Sequence, residues 1–185
     1  MGLGKSFSLS LVALVGLNFI FTLLYFLIDL GQPDAGLDSL ISSIQNTPLT
    51  IVFYLFGSVT SLPSANLNGV IIQPLFPPNN IIFLVRGIGF LLAPLIASIL
   101  AGNFAESKLQ GFAGWLLTMI VSTGAIIIVV FAEILLNFTS FQAALLALYG
   151  WSGFGMIIIS LLIACIINII FFGFFALLAS KTEYY

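Results

Sequence analysis

Arg86 and Glu133 are the residues of this chain with the strongest claim to unusual chemistry. Only four Lys/Arg and six Asp/Glu occur in 185 residues, and these two fall within or at the edge of long apolar runs. Arg86 lies a few residues into the run that starts at Ile81, and Glu133 near the end of the run that starts at Phe112. If the two runs form a helical hairpin through the polar turn 102–111, position 86 stands opposite about position 127, roughly six residues or ~9 Å of rise from Glu133. An arginine stem extended toward the interface covers most of that gap. The pair is therefore a candidate intramembrane ion pair; two separate interfacial side chains are the alternative. Asn18 and Asn168 form a second set. Both amides fall mid-run, where an unpaired amide is costly, so each must face another helix or a polar cavity.

The residue types that are missing exclude more than those present suggest. There is no histidine, which removes His-based metal and haem ligation and His-activated nucleophiles. Cys165 is the only cysteine, so neither a disulfide within the chain nor a Cys-based metal cluster can form. Asp29, Asp34, Asp38, Glu106 and Glu183 lie outside the apolar runs, so no buried carboxylate dyad is available. The spacing of Asp29, Asp34 and Asp38 does not match a calcium loop. Gly4-Lys5-Ser6 lacks the upstream glycine and strand of a phosphate loop. Neither catalysis by the chain itself nor a cofactor nor a metal is expected. Four basic residues cannot build a nucleic-acid surface.

The chain is 61% hydrophobic and 5% charged, against about 45–50% and about 25% in soluble domains. So few charges cannot solvate a folded surface of this size, and lipid must be its main solvent. The fold expected is an all-α integral membrane protein of one domain, residues 1–185. Four spans are expected at about 7–28, 81–101, 112–135 and 153–179, joined on one side by an outer loop, 29–80. Within that loop Leu37, Leu40, Ile41 and Ile44 repeat at helical spacing after a possible cap at Asp34, giving a short amphipathic helix. Residues 48–62 rise only about 22 Å, too short to span. They read as a re-entrant or interfacial half-helix, and covering the outer face of the bundle is preferred to a pore-type loop. A fifth span is the alternative. Residues 63–80 read as a loop or surface cap with a short extended piece at Val70-Ile71-Ile72. Phe141 to Tyr149 reads as a short apolar helix, preceded by the sequon at Asn137, a possible glycosylation site.

Four spans put Lys5, Lys108 and Lys181 on one side and the three aspartates on the other. The positive-inside rule then places both termini in the cytoplasm. Small residues recur every fourth position: Gly89, Ala93, Ala97 and Ala101 on the second span, Gly114, Thr118 and Ser122 on the third, and Ser160, Ala164 and Asn168 on the fourth. Such spacing lets helices approach closely in lipid, within the chain or between subunits. Sparse polar surface, missing catalytic groups and these stripes suggest a non-catalytic subunit that stabilises or regulates a larger membrane complex. Its partners would be the bilayer and other membrane subunits or further copies of itself. The alternative is a small transporter or channel with a polar path near Arg86 and Glu133.

Overall fold

Long uncharged runs leave their backbone no hydrogen-bonding partner but itself, and helix satisfies every donor and acceptor locally. In a computed structural model of the chain, which describes residues 2–28, 36–72, 81–136 and 154–180, all regular structure is helical. The helices are α1 (Gly2–Ile28), α2 (Leu37–Asn46), α3 (Thr50–Phe56), α4 (Pro63–Ile71), α5 (Ile81–Asn103), α6 (Lys108–Leu135) and α7 (Phe154–Ala179), with a 3-10 turn, Gly57–Thr60, after α3. Four helices are long and apolar enough to cross a membrane, the segments Gly2–Ile28, Leu84–Asn103, Lys108–Glu133 and Phe154–Ala179, whereas Thr50–Thr60 is a shorter apolar helix. The expected Phe141–Tyr149 helix, the cap at Asp34 and the sequon at Asn137 lie outside the described residues.

The first helix begins at Gly2, five residues before the uncharged run, because its early turns are packed. Gly2, Ser6, Ser10, Leu14 and Asn18 are buried at intervals of four. They face α5, whose Gly89, Ala93, Ala97 and Ala101 are buried in turn. The Ser6 hydroxyl donates to the Ala101 carbonyl at 2.7 Å. A Cβ at Gly89 would meet the Phe21 ring, and one at Gly114 on α6 would meet the Ser6 side chain. Thr118 and Ser122 turn their hydroxyls back to the Gly114 and Thr118 carbonyls, at 2.9 and 2.7 Å, which satisfies them within α6. On α7 Ala164 and Asn168 are buried and Ser160 is half-buried. The stripes on α5 and α6 are thus used within the chain. The matching stripe on α1 follows the same spacing but starts before the uncharged run.

Trp115 and Phe172 seal α6 against α7, with ring centroids 6.0 Å apart in an edge contact. At the end where α5 turns into α6, Gly102 lies against the Ala176 carbonyl of α7, and Gly111 lies against Gly102 and Ser180. Three helix ends converge there because two of the contact positions have no side chain.

Two expectations for the outer loop are corrected. Residues 63–71 are helical, not an extended or irregular cap. Pro63 occupies the first helical position, where its missing N–H costs nothing, and it holds Leu62 extended at φ −77°, ψ 142°. The segment 48–62 does not lie over the outside of the bundle either: Gly57, Ser58, Val59, Thr60 and Ser61 are all buried. Tyr54 stands beside Phe26, ring centroids 5.7 Å apart, whereas Ser58 stands beside Asn18, two turns further along α1. The chain then turns, and Asn66 and Val70 pack on Gly87 of α5. Helix, turn and helix form a hairpin that enters the bundle and returns toward the same end.

The cap of α2 is Gly36, at φ 105°, ψ −178°, a conformation open essentially to glycine alone. Gly36→Ala is expected to cost about 1–3 kcal/mol locally. Hydrogen exchange should show faster exchange in Leu37–Asn46 and unchanged protection in α5 and α6.

Candidate functional site

Pro63 also explains what lies at the hairpin tip. In a continuous helix the Val59 carbonyl would accept from the N–H of residue 63, and proline has none. The ladder resumes only with the Asn66 N–H donating to the Leu62 carbonyl at 3.2 Å. The tip therefore needs other partners for its backbone, and two asparagines supply them. The Asn168 amide donates to the Val59 carbonyl at 3.2 Å and to the Ser61 carbonyl at 3.0 Å. Asn18 accepts from the Ser58 N–H at 3.2 Å and donates to the Ser58 hydroxyl at 2.9 Å and the Leu14 carbonyl at 2.8 Å. The tip adds its own local bonds: Thr60 donates to the Gly57 carbonyl and Ser61 to Asn66 Oδ1, both at 2.7 Å. Asn18 and Asn168, read in the sequence as separate mid-run amides, hold the same turn from opposite helices.

One oxygen of this cluster stays unused. Asn168 Oδ1 is buried and has no hydrogen-bond partner, as is true of Ser10 Oγ, Trp115 Nε1 and Thr123 Oγ1.

Beside the hairpin, between α1, α3 and α5, lies a cavity of about 360 Å³. Asn18, Phe21, Thr22, Tyr25, Phe26, Thr50, Phe53, Tyr54, Arg86 and Phe90 line it. Among these described residues Arg86 alone is charged. Its guanidinium carbon lies 5.3 Å from the centroid of the Phe90 ring, a cation–π distance. Three of the cavity hydroxyls are engaged elsewhere. Thr22 donates to the Tyr54 carbonyl at 3.3 Å, the Tyr54 hydroxyl pairs with Ser43 at 2.6 Å, and Thr50 donates to the Thr47 hydroxyl at 2.9 Å.

Arg86 and Glu133 are not brought together. Arg86 faces the cavity, no ion pair joins it to Glu133 among the described residues, and Glu133 is buried on α6, outside the cavity lining. Among the described residues no three His, Cys, Asp or Glu side chains gather as metal ligands. Cys165 is a buried thiol on α7.

Sequence reasoning missed the aromatic and hydroxyl walls contributed by α1 and α3. Their signal was present as a helical stripe, since Asn18, Thr22, Tyr25 and Phe26 share one face of α1 at spacings of three and four. What they face was not readable from α1 alone. Comparison with models of protein families, with curated proteins and with solved structures finds no match to this chain.

Proposed function

We propose that this chain is a small, non-catalytic integral membrane carrier that holds an amphiphilic molecule in the cavity beside its re-entrant hairpin. The observation that supports it is the helix break buried half-way along α1 and α7, next to a cavity whose described lining residues include one cation, Arg86. Non-helical backbone at membrane depth persists only where protein or a polar cavity surrounds it. Discontinuous helices of this kind form the substrate sites of many transporters. With four crossings, both ends of the hairpin return to the side opposite Lys5 and Lys108, and the termini face the cytoplasm.

The polar path in this reading runs from Arg86 to Asn18 and does not include Glu133. The test is equilibration of fluorescent single-chain lipids across proteoliposomes, using neutral, cationic and anionic headgroups. At least one probe should cross faster than in protein-free vesicles. Rates equal to those of empty vesicles for every probe would remove the carrier reading.

A second reading, an accessory subunit of a larger membrane complex, has one specific support. Only 11% of the most apolar window of α1 is buried, against 39–44% in the other three long helices. Val12, Ile20 and Leu27 of α1 are exposed, a face open to lipid or to a partner. The stripes on α5 and α6 no longer argue for a partner, being occupied within the chain. Native mass measurement from mild detergent separates the two readings: a monomer without companions opposes the subunit.

A further inference from the structure

Two donor side chains of the cavity, Arg86 and Tyr25, have no hydrogen-bond acceptor among the described residues. A guanidinium carries five N–H donors and keeps its charge in any protein environment. Arg86 is half-buried, and among the described residues it meets the Phe90 ring and interacts electrostatically with Tyr25, with no hydrogen bond or ion pair. The Tyr25 hydroxyl lines the same cavity and is likewise unbonded; its ring packs edge-on to Phe26 at 5.4 Å. The neighbouring hydroxyls of Thr22, Thr50 and Tyr54 are already committed. An uncompensated cation in a largely aromatic pocket is costly unless an anion or water meets it. The rest of the lining, above all Phe21, Phe26, Phe53 and Phe90, suits an apolar body.

We infer that the cavity binds the oxyanion head of a single-chain anionic amphiphile, a carboxylate or phosphate monoester, on Arg86 and Tyr25. The chain of the amphiphile lies among the phenylalanine rings. A planar guanidinium pairs with either oxyanion through two parallel N–H bonds, while the tyrosine supplies a third donor. The volume, about 360 Å³, lies at the small end of ligand pockets, which run roughly 300–1,000 Å³. That size favours one chain over the two of a bilayer phospholipid. The inference rests on the carrier reading for its setting, but it concerns binding, which is measured separately from movement.

The test uses the full chain in nanodiscs of phosphatidylcholine, titrated with radiolabelled oleate, with lysophosphatidate and with dioleoyl phosphatidylglycerol. Saturable binding of oleate or lysophosphatidate, near one per chain, is expected. Arg86→Gln should weaken it by about tenfold or more, since hydrogen bonds to charged groups contribute about 1.5–3 kcal/mol. Arg86→Lys should retain part of the affinity, and Tyr25→Phe should lower it several-fold, about the effect of one neutral donor. Leu178→Ala, on an exposed position of α7, should leave it unchanged. If Arg86→Gln fails to fold, Arg86→Lys and Tyr25→Phe carry the comparison. Partition without saturation, equal binding by wild type and the Arg86 variants, or binding of the phosphatidylglycerol alone would each overturn the inference; the last would make Arg86 an ordinary contact to bilayer headgroups. Binding without accelerated crossing would sink the carrier reading and leave this one standing. Crossing of neutral probes with no binding of anionic ones would do the reverse.

Discussion

Asn168→Leu is expected to destabilise the protein more than any other single change within the apolar interior. Leucine matches the amide in size but donates nothing, so the Val59 and Ser61 carbonyls lose the bonds at 3.2 and 3.0 Å. Side-chain hydrogen bonds between membrane helices average only about 0.6 kcal/mol, because the unfolded helices find other partners. That average does not apply here. The Val59 carbonyl has no helical donor to return to, since Pro63 has no N–H. Leaving a buried acceptor unsatisfied costs about 1–3 kcal/mol, so a loss of roughly 2–6 kcal/mol follows for the two carbonyls. For a chain of this size the melting temperature should fall by roughly 4–24 °C, at about 2–4 °C per kcal/mol.

Cys165 provides the readout. It is the single cysteine and is buried, one turn from Asn168 on the same helix. A thiol-reactive fluorophore should therefore report unfolding directly. Asn18→Leu should follow in the same direction with a smaller shift, because one of its bonds is donated to the Ser58 hydroxyl, which can accept from another donor. An unchanged melting curve in Asn168→Leu would mean that the tip is held by its own local bonds, and the clamp would lose its assigned role.

Gly102→Ala is expected to have the second-largest effect. A Cβ at this position would run into the Ala176 carbonyl and approach the Ala179 Cβ to 3.0 Å. The obstacle is backbone on a neighbouring helix, which cannot rotate away as a side-chain tip can. Either α5 and α7 separate, losing close van der Waals packing along their contact, or the helix strains. Overpacking of this kind costs about 1–3 kcal/mol, and in lipid, close packing is the principal force between helices. Gly16→Ala and Gly124→Ala are the matched controls. Nothing lies within 4 Å of a Cβ at either position, and a mid-helix glycine replaced by alanine gains about 0.5–1 kcal/mol. The three variants should therefore shift the thiol-exposure curve in opposite directions. A neutral Gly102→Ala would mean that the α5–α7 contact is looser than the geometry implies.

The four long helices were legible in the sequence because their signal is local. A run of more than twenty predominantly apolar residues has one solution, and the runs at 81–101 and 153–179 are matched closely by α5 and α7. The amphipathic stretch Leu37–Asn46 was legible for the same reason. The start of α1 was not, because Gly2 and Ser6 join the helix by packing on the α5–α6 turn rather than by hydropathy. The α1 stripe was present in the residues but hidden by Lys5 and the serines around it.

At the candidate site the sequence pointed to Arg86, Asn18 and Asn168. Register across the α5–α6 turn made Glu133 a candidate partner for Arg86, with two separate side chains as the alternative. Register fixes height along two helices but not the direction each side chain faces, and Arg86 turns toward α1 and α3 instead. Asn18 and Asn168 had to face something polar; their common target was invisible because it lies 40 and more than 100 residues away in the chain.

The sequence by itself determined that ten charges in 185 residues cannot clothe a soluble surface, that helices would satisfy the backbone, and that chemistry relying on histidine or paired cysteines is absent. Tertiary structure decided where the one broken helix goes. A proline and a run of small polar residues say that the backbone at 57–62 needs outside partners, but only the packed bundle supplies two asparagines to meet them, and with them the cavity that Arg86 faces.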